Sequence, residues 1–142
     1  MGKVLDSTKA QPKVGIILTA LAVLLGAGLL TVAGPCAVLD TDKTRSCLWA
    51  SRALIGVDAV LLIIALVRIF EQDEGERRGL SFASALLGAL IAVMPGALIA
   101  LCPDPSAHCN AVMRPFVMCV GIAIGLVGAI DLTRRLLSLR SR

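Results

Sequence analysis

The chain has 142 residues, 57% of them hydrophobic and 17% charged, with a formal net charge of +4. The apolar share lies above the roughly 45–50% of soluble domains. Aromatics make up 3%, with one Trp and no Tyr, so the bulk comes from Leu, Ala, Val, Ile and Gly, which suit helices packed closely in lipid. Nucleic-acid binding is a poor explanation of the charge, because no basic face with interleaved aromatics exists.

A bilayer core of about 30 Å is crossed by about 20 apolar residues in a helix, and four stretches qualify. The first, residues 14–33, has no charge. Lys3, Lys9 and Lys13 precede it as they would a signal peptide. Secretory apolar regions run only about 7–15 residues, however, and Pro35 before Cys36 spoils a lipoprotein-type cleavage site, so a retained helix is expected. The second span, 49–69, carries Arg52 near its start and Asp58 inside. The third, 80–101, is uncharged, and Pro95 is expected to bend it. The fourth, 112–132, opens on Arg114 and Pro115, and proline suits a first helical turn. Beyond it, 134–140 is basic and amphipathic and is expected to lie on the anionic inner leaflet. The fold class is therefore all-α: one domain over 1–142, an integral membrane four-helix bundle.

Orientation follows from Lys and Arg near the span ends. Lys3, Lys9, Lys13, Arg68, Arg77, Arg78, Arg134, Arg135, Arg140 and Arg142 fall on one side. Lys43, Arg45, Arg52 and Arg114 fall on the other. The richer side is expected in the cytoplasm of a cell-membrane protein, with both termini there and the cysteine-bearing loops outside. The acidic run Glu71, Asp73, Glu74, Glu76 counts little in this rule.

The two halves share a plan: helix, Cys, polar loop, Cys, Arg, helix. Cys36, Cys47 and Arg52 correspond to Cys102, Cys109 and Arg114, with Pro35 and Pro103 beside the first Cys of each set. A duplicated hairpin, repeated in the same sense across the membrane, accounts for these matches. Small residues recur at helical spacing as Ser84, Gly88, Ala92 and Gly96 in the third span. Gly121, Gly125 and Ala129 do so in the fourth, and Ala22 with Gly26 in the first. Such stripes let backbones approach, and packing within the chain is preferred to dimerisation.

The four loop cysteines face an oxidising space in this orientation, where disulfides persist. Cys36–Cys47 with Cys102–Cys109 is the simplest pairing, but four cysteines allow three connectivities. Cys119, within the fourth span, reads as a small apolar filler. Thiol–disulfide catalysis needs a reactive pair, usually Cys-x-x-Cys, and no such spacing occurs. His108, with Cys109, Met113 and Met118, hints at a metal or haem, but one His without a second ligand at defined spacing is weak. A loop histidine is expected, with no metal and no cofactor.

Asp58 is the residue that invites a mechanism, since an ionisable group within a span is costly and is usually paired or lining a cavity. Arg52 and Arg114 are its candidate partners in a buried tie between hairpins. The alternative is a proton- or cation-coupled site.

The outer loop beginning at Cys36, the Cys-containing entry to the second span, and the segment from Leu101-Cys102 to Cys109-Asn110-Ala111-Val112-Met113-Arg114-Pro115 resemble a bacterial and archaeal family. Its members are small four-span membrane proteins described only as a domain of unknown function. The resemblance covers nearly the whole chain, and Cys-Asn-x-x-Met-x-Pro is its most specific piece. Members resemble one another in lying near genes for MacB/FtsX-type ABC exporters, which implies an accessory role beside a permease. No phosphate-cradling loop, Ser/His/Asp set or paired carboxylates are visible, so no catalytic residue and no enzyme are expected. Three functions follow: a non-enzymatic membrane subunit, a small transporter using Asp58, and a thiol oxidoreductase using the loop cysteines.

Overall fold

A computed structural model describes residues 11–32, 44–99 and 108–140. Cys36 and Cys102 lie outside these segments, and for Cys47 the helix backbone is described but not the side chain. The elements are α1 (Gln11–Leu30), α2 (Thr44–Phe70), α3 (Glu74–Val93) and α4 (Arg114–Arg140). Each helix, with the turns that extend it, is long and apolar enough to cross a membrane. Four crossings return the chain to the side on which it began.

Each helix buries one stripe at alternating steps of three and four residues. These are Leu18, Ala22, Leu25 and Leu29 on α1, and Ala50, Leu54, Leu61 and Ala65 on α2. On α4 the stripe is Val117, Val120 and Ile124, prolonged upstream by Met113. This is the spacing of left-handed bundles, soluble or in lipid. The opposite faces stay apolar as well: Ile17, Leu24, Ile63, Leu86, Leu126 and Ile130 are all exposed. In water such a surface would aggregate; in a bilayer it is the lipid contact.

Helices run past the apolar stretches at the terminus end. The expected middle loop shrinks to 71–73, because Asp73 caps α3 by accepting from the Gly75 N–H at 2.6 Å. Glu71 Oε1 accepts from the Gln72 and Asp73 N–H groups at 2.9 and 3.0 Å. These bonds, chiefly that from Asp73, hold the Glu71 carboxyl below its ordinary range. Arg77 donates from Nε to the Glu71 carbonyl at 2.6 Å. The C-terminal basic stretch does not leave the bundle to lie on a leaflet. It continues α4 without a break through Arg140, because Arg135 is drawn into the core.

At the opposite end both prolines break regularity. Pro95 (ψ 111°) and Gly96 (φ 99°) leave helical geometry in a wide turn, Met94–Leu98. A positive φ of that size favours glycine. Gly96 therefore does not continue the small-residue stripe; the Arg114 guanidinium lies over it instead. Ahead of Pro115, Cys109–Met113 forms a π-turn in which the Arg114 N–H reaches the Cys109 carbonyl. The wider turn relieves the clash of a proline ring with the carbonyl four residues back.

The most extensive packing joins α3 to α4. A Cβ at Gly121 would stand 2.7 Å from the Ala92 nitrogen, and one at Gly128 equally close to that of Ala85. A Cβ at Gly88 would fall onto the Gly125 backbone. The stripe residues Ser84, Gly88, Ala92, Gly121 and Gly125 thus lie along or beside this seam. Ala129 does not: it is exposed, and Gly128 takes the position.

Candidate functional site

Two groups of polar atoms lie inside the bundle. The first is at the terminus end, where Arg68 is 2% exposed and Asp131 and Arg135 are each 9% exposed. Arg68 donates from Nη2 to Asp131 Oδ2 at 2.5 Å, and Arg135 from Nε to the same oxygen at 2.7 Å. The Ser81 hydroxyl accepts from Arg68 Nη1 at 2.7 Å. It stands 2.8 Å from Asp131 Oδ2 and 2.7 Å from the Arg77 carbonyl, so its one proton serves one of those two acceptors. One carboxylate oxygen therefore gathers polar side chains from α2, α3 and α4. From the sequence Arg68 counted only as a positive charge near the end of the second span, and Asp131 had no role. The structure corrects this: α2 reaches Phe70, so Arg68 lies on the buried stripe one turn beyond Ala65.

The second group is a single side chain. Asp58 replaces an apolar residue in the α2 stripe and is 8% exposed. It lies ten residues from Leu48 and twelve from Phe70, the ends of its span. At 1.5 Å per residue these are about 15 and 18 Å, so Asp58 sits at the midplane. Its Oδ1 is buried with no hydrogen-bond partner. Its Oδ2 faces Gly26 on α1 so closely that a Cβ there would stand 2.8 Å away. The expected tie to Arg52 or Arg114 does not form. Arg52 is exposed and sits over the Trp49 ring, 6.0 Å from its centroid. Arg114 is taken up by Gly96 at the far end. Both arginines enter their helices too near the surface to reach the midplane.

The remaining candidates are placed as follows. Cys109 is buried at the head of the last helix, beside His108. Cys119 is exposed on the outer face of α4 rather than filling the core. His108 is helical, and its Nε2 lies 2.7 Å from the Val32 carbonyl just past α1, where helix-end carbonyls want donors. Met113 is buried and Met118 half-buried. Among the described residues, no three His, Cys, Asp or Glu side chains converge as a metal site would require.

The sequence held one signal for the missed cluster. Arg68, Asp131 and Arg135 each continue the buried stripe of their helix, which marks them as inward-facing. No curated protein and no solved structure matches the chain significantly. One family does, described as a domain of unknown function, DUF4418; its match runs over residues 15–134, from within α1 to within α4, and the chain belongs to that family.

Proposed function

We propose that this four-span protein is a non-enzymatic subunit or accessory of a membrane complex, in the MacB/FtsX-type ABC exporter setting implied by the family resemblance. Its termini are then cytoplasmic and its cysteine loops extracytoplasmic. The observation that supports this reading is the closure of Arg68, Arg135 and Ser81 on Asp131. The charges are used to clamp three helices together, while the outward faces stay apolar and available to lipid or to another membrane helix. A protein built this way works through its surfaces. Affinity purification in mild detergent with mass spectrometry tests it: a stoichiometric permease and ATPase are expected, and a solitary protein overturns the reading.

A second reading is a small proton- or cation-coupled transporter, supported by the unpaired midplane carboxyl of Asp58. On that reading Asp58→Asn abolishes a flux and leaves the fold intact. For Cys36, Cys47, Cys102 and Cys109 the proposed role is structural stapling, and peptide mapping without reductant identifies the pairs. Trapped mixed disulfides in a single Cys→Ser variant would favour an oxidoreductase instead.

A further inference from the structure

Buried polar side chains are unevenly placed along the bundle: on the terminus side of Asp58 they are interspersed with the buried Leu18, Ala22, Leu61 and Ala65, and on the other side they are scarce. Among the described buried polar residues, Ser84, Ser81, Asp131, Arg68 and Arg135 all lie from Asp58 towards the terminus end. In the opposite direction Ser51 is the one polar residue among the described buried ones, which include Leu54, Leu29, Met94, Met113 and Val117. Ser84 and Ser81 are one turn apart on α3, and Ser81 touches Asp131, so hydroxyls and charges lead from the cluster towards the middle of the membrane.

We propose that Asp58 is a proton-binding site that exchanges with water at the terminus end of the bundle by way of Ser84, Ser81 and the Asp131 cluster. The proposal rests on the transporter reading for its purpose and names that site's ligand and its side of access. Hydronium gives its proton to Asp58 Oδ1 and leaves as water, and release reverses the step. A metal cation fits poorly: calcium and magnesium take about six or more oxygen ligands, and here α1 offers Gly26 among Ala22, Leu25 and Leu29. A proton needs one oxygen, and Oδ1 is unclaimed.

No titratable side chain faces Asp58 from α1, whose buried residues are all aliphatic. On α2 the next charged core group is Arg68, ten residues on, about 15 Å along the helix. α3 contributes the non-titrating Ser84 and Ser81. On α4, Asp131 and Arg135 sit at the terminus end, Arg114 at the other, and Cys119 faces outward.

The test uses the full chain reconstituted in vesicles of known orientation and an apolar carbodiimide. A carboxylic acid adds across a C=N bond of this reagent and rearranges to an N-acylurea that retains every reagent atom, so the mass of the Asp58 peptide reports protonation. Labelling of Asp58 is expected, absent in Asp58→Asn. Above the titration midpoint it falls towards roughly tenfold per pH unit raised in the terminus-side compartment, and it does not respond to the other. Ser84→Ala is expected to slow the response several-fold. No labelling, labelling that follows the opposite compartment, or an unchanged response in Ser84→Ala overturns the proposal. Protection by sodium at constant pH also overturns it, while leaving a cation-coupled transporter standing. One-sided labelling with no flux lost in Asp58→Asn upholds the proton site and removes the transporter reading.

Discussion

Asp131 and Asp58 are both carboxylates on buried stripes of one bundle, and they are treated in opposite ways. Asp131 receives two guanidinium donors and a serine at one oxygen; Asp58 has a buried oxygen with no partner and a glycine against the other. Depth is the difference. At the terminus end, arginines entering from the interface reach inward; at the midplane, among the described residues, no cation on a neighbouring helix is within reach. A carboxylate that fastens helices together is explained by its partners. One kept unpaired in the core opposes stability and points to use.

The comparison breaks most visibly at Asp131. Asp131→Ala leaves two buried guanidiniums facing each other, and removing one partner of a buried ion pair costs about 3–5 kcal/mol. A large drop in the midpoint of unfolding in detergent is expected. Replacing Arg68, Asp131 and Arg135 together by Met, Leu and Met should recover much of that loss, because apolar isosteres of a whole buried charge cluster are often neutral. A triple variant as unstable as the single one would show that the cluster does more than clamp helices.

Next comes the seam that holds the cluster's helices. Gly88→Ala drives a Cβ onto the Gly125 backbone, an overpacking that costs on the order of 1–3 kcal/mol. Gly56→Ala, with nothing within 4 Å of the new methyl, serves as the contrast and is expected to be neutral or to gain up to about 1 kcal/mol from helix propensity.

Asp58 sharpens the contrast from the other side. Asp58→Asn is expected to hold or raise stability, by up to about 1 kcal/mol, since it removes the charge of an unsatisfied carboxyl without changing its shape. A loss of several kcal/mol would place Asp58 with Asp131 as a structural residue. Gly26→Ala should displace Asp58 and lower its carbodiimide labelling while the unfolding midpoint moves little. The smallest effect is expected at Arg52→Ala, where an exposed cation–π contact contributes about 0.5 kcal/mol.

The four spans were legible because lipid demands about twenty apolar residues per crossing, and that requirement is local. Pro95 and Pro115 were legible for the same reason, since proline removes a backbone donor wherever it stands. The helix ends were less legible: hydropathy stops where charge begins, but α3 already starts at Glu74 and α4 runs on to Arg140, past Asp131 and Arg135, which meet inside the bundle. Hydropathy also fails to distinguish core from lipid face when both are apolar.

The sequence by itself determined that this chain is a membrane bundle of four helices, with a lone carboxyl deep in the second, because chain length, apolar runs and prolines act through their immediate neighbours. Only the tertiary structure decided which charges meet. Arg68 and Asp131 are 63 residues apart, and whether an interfacial arginine turns to water or to a buried carboxylate depends on a helix that local sequence does not see. The same holds for Asp58, whose expected partners lie at other depths and whose neighbour is a glycine on another helix.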